Sequence, residues 1–466
     1  MKGQTSISGR RRFLQTTAVG GAALAFGPTI LGAAKESEGV EPVRVGLIGA
    51  GEQGKILMEA ARRIPGVRFQ AVCDIWSYNR RWVAGRLRAY KHVCNAYEDY
   101  REMLDKEKDL QAVLVATPDF WHARHTIACL NAGLHVYCEA PMAHTAADAR
   151  RMVEAARGAG AKYFSPLLQI GQQRRSNPQY RFCYRTLLQE KKLLGRIVAA
   201  NGQWNRAFLS PLGWPRNAAI DPATLKQYGY ESMDQLRNWR WYRGLSSGPI
   251  GELGTHQIDV YNWFVGARPR AVLASGRRNY YKTETRQWYD TLMAVYEYEA
   301  PQGLVTASYQ ILTANRHDGY FEKFLADRGT LLISQRSDRT RLYPELGNGS
   351  AEAWVACLKQ GELTAPPEGR DLMEKQHMSA DQFMAFLMVA ESREPMIEQL
   401  SCAVPVKTYQ PIPQPHLENF FDAIRGKAKL TCPAEVGYEA VVTALKTNEA
   451  AEAGRRLEFK PEEFAV

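Results

Sequence analysis

Residues 43–54 constrain the fold more than any other part of this chain. Val43-Arg44-Val45-Gly46-Leu47-Ile48 is an apolar run of the length of a buried parallel strand. It leads into Gly49-Ala50-Gly51-Glu52-Gln53-Gly54, and Ile56–Ile64 continues with helical spacing. A glycine at 49 permits a tight turn. One at 51 lets the backbone approach a pyrophosphate, and one at 54 lets the helix pack on the strand. The amides at the helix start, with Glu52 and Gln53 among them, face the anion. Asp74 ends a second apolar strand, Phe69–Cys73, 20 residues after Gly54. Its carboxylate suits the ribose hydroxyls of adenosine and repels a 2′-phosphate, so the pattern predicts NAD over NADP.

Ala112–Ala116 and His135–Cys138 read as further strands, with helical stretches at Arg101–Glu107 and Ala123–Ala132. This alternation predicts an α/β fold over 43–165, a doubly wound parallel sheet of the Rossmann type. The pattern changes after Pro166. Ala271–Gly276, Leu292–Glu299, Leu304–Gln310 and Thr330–Ser334 are alternating runs rich in Val, Tyr and Thr. They predict a second α/β domain over 166–466, with a large, mostly antiparallel sheet and helices on one face. His416–Ala423 and Gly437–Ala453 read as its closing amphipathic helices, and 345–412, rich in Pro, Gly and Glu, as an insertion.

The N-terminus carries a different signal. Arg10-Arg11-Arg12-Phe13-Leu14 precedes a Gly/Ala-rich apolar stretch, Thr16–Leu31, and the small residues Gly32-Ala33-Ala34. Residues 1–34 therefore read as a twin-arginine export signal and 35–42 as a polar linker. This predicts a periplasmic or otherwise exported protein, membrane-anchored if the segment stays uncleaved. No later run is long and apolar enough for a span, so the mature protein is expected to have no stable membrane span. Lys2, Arg10, Arg11 and Arg12 are the charges of residues 1–34, and their removal lowers the net charge from +11 to +7. The basic residues form no stripe, which argues against nucleic acid. None of the eight cysteines is spaced C-x-x-C, and no ligand cluster calls for a metal. Folding in the reducing cytoplasm favours free thiols over disulfides.

Three further segments complete a set: Ala116-Thr117-Pro118-Asp119-Phe120-Trp121-His122, Tyr137-Cys138-Glu139-Ala140-Pro141-Met142, and Gly251-Glu252-Leu253-Gly254-Thr255-His256-Gln257-Ile258-Asp259. With the glycine loop they resemble the glucose–fructose oxidoreductase / inositol dehydrogenase (Gfo/Idh/MocA) family, over about 43–335 and again over Pro415–Phe459. The resemblance implies NAD(P), a carbohydrate substrate, and an open sheet in the second domain used to form a homo-oligomer. It places Thr117 and Pro118 at the nicotinamide half of the cofactor and Glu139 at its ribose; His122, nearby in sequence, reads either as a further cofactor contact or as a structural histidine. It gives His256 the role of general base, an acid four residues earlier a place beside the substrate, and the lysine of an E-K-P motif a place between nicotinamide and substrate.

This chain departs from that pattern twice. Ala140 stands where the lysine is expected, and the acid is Glu252. A cation at the lysine position lowers the energy of negative charge developing on the substrate oxygen. Arg174, Arg175, Arg240 and Lys323 are candidate substitutes. Imidazole titrates near neutral pH, which suits His256 to take a hydroxyl proton. Asp259, one turn further on, reads either as the group that orients it or as a surface acid. Trp204, Trp214, Trp239, Trp241, Tyr242 and Trp263 offer faces for sugar rings, and Gln169–Arg175 offers polar groups.

Three functions follow. The first is an exported oxidoreductase acting on a sugar or polyol with tightly held NAD. The second, implied by some members of the family, is a redox-neutral glycoside hydrolase or lyase that oxidises a sugar hydroxyl, eliminates, and reduces again. The third is a non-catalytic sugar-binding protein.

Overall fold

The structure, a computed structural model, describes residues 41–158, 165–281, 285–345, 349–365 and 401–466, with 377, 379, 381 and 382 between them. The expected export signal and most of the linker lie outside the described residues, as does 383–400 within the expected insertion.

Two sheets organise the chain. The first contains β1 Val43–Ile48, β2 Val67–Cys73, β3 Asn95–Tyr97, β4 Ala112–Val115, β5 His135–Cys138 and β6 Leu168–Ile170, in the order β3-β2-β1-β4-β5-β6. Every pairing is parallel. β4 and β5 are buried at every residue, which explains their unbroken apolar sequences. The order reverses between β1 and β4, and the crevice at that switch point is where such sheets bind ligands. β6 lies past the expected domain edge at 165.

The second sheet contains β7 Ile197–Asn205, β8 Pro269–Arg277, β9 Thr291–Ala300, β10 Gly303–Leu312, β11 Tyr320–Ala326, β12 Gly329–Ile333, β13 Arg341–Pro344 and β14 Leu457–Glu458. Its order is β13-β12-β11-β7-β10-β9-β8-β14, antiparallel except for β7 beside β10. One face buries Tyr296, Tyr298, Tyr309 and Phe324; the other exposes Val198, Leu273, Met293, Val295 and Leu304.

Helices cover the buried face. Thr255–Val265 ends at Gly266, whose φ of 72° suits a left-handed cap. Tyr261 on this helix approaches β7 so closely that a Cβ on Gly202 would lie 2.6 Å from its hydroxyl. The two C-terminal helices are not confined to the second sheet. Gln414–Ile424 sends Leu417, Phe420 and Phe421 into the core of the first, and Ala434–Ala453 packs Tyr438 and Val441 there and Ala444 and Ala450 against the second. Within the expected insertion, Ala351–Lys359 buries Trp354 against Gly329, and Cys402 bridges to Leu342. That part extends the edge of the second sheet. All eight cysteines are buried and unpaired.

Candidate active site

The glycine loop follows the geometry its sequence demands. Gly49 has φ 94°, and a Cβ there would lie 2.6 Å from the Ala116 carbonyl carbon. A Cβ on Gly54 would lie 1.9 Å from the Gly49 oxygen, so the helix Glu52–Ala61 packs only with glycine there. A Cβ on Gly51, in contrast, meets nothing within 4 Å and would project into open space. That space is a cleft of about 980 Å³, lined by Gly49, Gly51, Glu52, Gln53, Asp74, Thr117 and Pro118 among others. An open cradle at Gly51, at a helix N-terminus, fits the pyrophosphate of a dinucleotide.

Asp74 lines this cleft and also holds the loop. Its two carboxylate oxygens accept hydrogen bonds from the backbone amides of Ala50 and Trp76, each at 2.7 Å. Burial raises its pKa, and these amides oppose the rise. Glu139 stands at the end of β5, where its carboxylate accepts from the Gln53 side chain at 2.7 Å and the Ala140 amide at 3.1 Å. Burial pushes it up to about 7 despite both donors.

His122 does not line the cleft. Its Nδ1 meets the Pro141 carbonyl at 2.9 Å and its Nε2 the Thr117 carbonyl at 2.8 Å. With both nitrogens committed to backbone, it clamps the Thr117-Pro118 turn to the Ala140-Pro141 turn. Burial pulls its pKa down, but Cys138 and the two carbonyls outweigh that and the net direction is up. His125, one turn along, is the histidine that lines the cleft; it stacks on Trp121 with 5.1 Å between ring centroids. The helical spacing of Trp121 and His125 was the available signal. Trp76, Tyr100, Tyr228 and Arg237 complete this wall from elements far apart in sequence.

His256 begins the helix Thr255–Val265, after a wide π-helical turn, Ile250–Gly254. The two glycines of that turn are required by contact: a Cβ on Gly251 would lie 2.1 Å from Ser247 Oγ, and one on Gly254 2.6 Å from Ile250 Cδ1. Ser247 in turn donates from its amide and hydroxyl to Asp119, at 3.0 and 2.7 Å, which ties the turn to the first domain. His256 Nδ1 is buried without a hydrogen-bond partner among the described residues. Burial, with Arg174 and His416 nearby, holds its pKa down to about 3. The imidazole is therefore neutral at physiological pH.

Asp259 does not orient His256. Both of its oxygens accept from Arg175 Nε, at 2.8 and 2.9 Å. The buried guanidinium of Arg175, on the turn Gln173–Ser176, is the stronger partner for a buried carboxylate than a neutral ring. Glu252, on the preceding turn, pairs with Arg240, which also lines the nucleotide cleft.

Arg174 is the remaining candidate cation near His256. It is 1% exposed, lies 3.5 Å from the Glu322 carboxylate, and none of its three guanidinium nitrogens makes a hydrogen bond to the described residues. Trp204 and Tyr320 flank it at 5.4 and 5.7 Å. The strand end that carries it abuts the Glu139–Ala140 segment: a Cβ on Gly171 would lie 2.5 Å from Glu139 Oε2 and 2.9 Å from the Ala140 amide. Gln172 Nε2 donates to Thr255 Oγ1 at 3.1 Å. His416 braces the same strip, bonding the Ile170 carbonyl at 2.9 Å and Ser176 Oγ at 2.6 Å; sequence reasoning missed it because it arrives from the C-terminal helix. Among the described residues no cluster of His, Cys, Asp and Glu is arranged to hold a metal.

The comparisons with known proteins agree with this architecture. A model of an oxidoreductase family with an NAD-binding Rossmann fold matches residues 43–166, and the GFO/IDH/MocA C-terminal domain matches residues 185–322. Inositol 2-dehydrogenase of Salmonella typhimurium is 35% identical over 143 residues, 30% of this chain and 39% of the relative. Glycosyl hydrolase family 109 protein 1 of Shewanella sp. (strain MR-4) is 32% identical over 128 residues, 25% of this chain and 26% of the relative. The chain thus spans less than half the length of these curated relatives. A levoglucosan dehydrogenase solved in complex with NADH superposes with a TM-score of 0.63 at 18% identity, covering 90% of this chain and 100% of that one, a likeness of fold. The strand order, the glycine cradle and the two matched domains together place the chain in the Gfo/Idh/MocA oxidoreductase family, with an NAD-binding Rossmann domain at its N-terminal end.

Proposed function

We propose that this protein is an NAD-dependent oxidoreductase that acts on a hydroxyl or ketone of a sugar or polyol, with His256 as the general base. The observation that carries the reading is that His256 Nδ1 and the guanidinium nitrogens of Arg174 are buried without hydrogen-bond partners among the described residues. The glycine loop, Asp74 and Glu139 hold the cofactor, which when bound supplies the hydride acceptor. His256 takes the hydroxyl proton. Arg174 supplies the positive charge that Ala140 does not, and stabilises the oxygen as it becomes negative. Glu252, paired with Arg240 on the turn before the helix of His256, takes the place beside a second hydroxyl of the substrate in this reading. Addition of NAD and free sugars or polyols tests this: NADH formation by the wild type, lost in His256→Ala, is the expected result.

The likeness to a protein named as a glycosyl hydrolase supports a second reading, in which the captive cofactor is reduced and reoxidised within one turnover that breaks a glycosidic bond. Release of nitrophenol from a nitrophenyl glycoside without net NADH distinguishes it. Residues 10–14 support export with the nucleotide already bound, since folding precedes transport on the twin-arginine route. Replacing Arg10 and Arg11 by lysine is expected to retain the protein in the cytoplasm. The apolar outer face of the second sheet supports a homo-oligomer.

A further inference from the structure

Beside the nucleotide cleft lies a second pocket of about 500 Å³, and Arg240 and Glu252 belong to its wall. Its other charged residues are Arg206 and Arg286. Three guanidinium groups thus face one carboxylate, and that carboxylate is already paired with Arg240.

Arg286 is 9% exposed, and its guanidinium sits 3.8 Å from the ring centroids of both Trp241 and Tyr281. It donates to the Leu209 carbonyl, a neutral acceptor that leaves its charge uncompensated. Burial holds its pKa down, and the charge of Arg206 adds to that. Arg206 stands on the wall of the same pocket. Arg206 and Arg286 thus line one aromatic-walled pocket whose sole carboxylate among the described residues is that of Glu252. Such an arrangement is unfavourable when empty of counter-charge and becomes favourable when an oxyanion enters. Trp241, Trp288 and Tyr289 also line the pocket, Trp241 stacked by Arg286 and Trp288 by Arg243.

We propose that this pocket binds a saccharide through an oxyanion substituent, a carboxylate or a sulfate, held by Arg206 and Arg286. The inference rests on the reading of this site as one for carbohydrate, and it names the substrate class as acidic. A neutral sugar would bring neither guanidinium a counter-charge.

The test is calorimetric titration of the full chain, saturated with NAD, with tri-galacturonate, a sulfated galactose oligosaccharide and its unsulfated counterpart. At least one acidic ligand is expected to bind roughly tenfold or more tightly than the neutral one, with affinity falling as salt rises. Arg206→Ala is expected to remove that preference and Arg206→Lys to keep part of it, with NAD affinity unchanged in both. Preference for the uronate or for the sulfate identifies the oxyanion. Equal or tighter binding of the neutral ligand, inorganic sulfate binding as tightly as the saccharide, or an unchanged preference in Arg206→Ala overturns the proposal. Binding of acidic saccharides without NADH formation from any sugar would instead fail the oxidoreductase reading and leave the pocket assignment standing.

Discussion

The Gln53 side chain donates to the Glu139 carboxylate at 2.7 Å, joining the helix behind the glycine loop to the end of β5. The contact links the two halves of the nucleotide site before any ligand arrives. It also leaves a buried acid whose pKa lies near 7, against an unfolded value near 4.5. Between these values the folded protein holds more protons than the unfolded chain, so stability falls as pH rises through that window. Glu139→Gln removes this loss. Thermal unfolding of the cofactor-free protein from pH 5 to 8 is expected to show a falling Tm in the wild type and a flatter profile in the variant; parallel profiles would contradict the assignment.

Asp74 makes two charge-assisted bonds to the backbone, one of them to the glycine loop itself. Asp74→Ala is expected to loosen NAD by roughly tenfold to a hundredfold, through the loop and through the lost ribose contact. Fluorescence titration with NADH measures it, and unchanged affinity would rule out both roles.

His256 is held neutral down to about pH 3. If it is the base, the acid limb of kcat/KM lies well below the ordinary imidazole range and activity persists at pH 5. A limb near pH 6.5 that His256→Gln abolishes would show that the ring titrates normally. Full activity in His256→Ala would remove it from the mechanism.

Asp259 and Arg175 form a buried pair away from His256. Asp259→Asn is expected to destabilise the fold by about 3–5 kcal/mol, since it leaves a buried guanidinium uncompensated. The pH profile of the remaining activity is expected to stay in place. A shifted profile would restore Asp259 as an orienting group.

Much of this was legible in the sequence because local rules and the fold agree. The loop 49–54 reads as a nucleotide cradle since each glycine answers a separate steric demand, and β1, β4 and β5 read as strands since both faces are buried. β7 and β11 were hidden for physical reasons. Gly202 breaks the strand signal of β7 because the Tyr261 hydroxyl needs its space, and Glu322 breaks that of β11 because it is buried against Arg174 and the Tyr180 hydroxyl. The partner of Asp259 was equally out of reach. Helical spacing offers His256, and only the tertiary structure brings Arg175 closer. The partners of His122 were out of reach for the same reason, since the carbonyls that meet its ring belong to turns 5 and 19 residues away.

An NAD-dependent oxidoreductase of this family must bind NAD in the cleft at the glycine loop. The most direct measurement is the nucleotide released on denaturing protein purified from an exporting host without added cofactor. The account predicts about one NAD(H) per chain, resistant to dialysis and lowered in Asp74→Ala. Empty protein that takes up no NAD when it is supplied would contradict it.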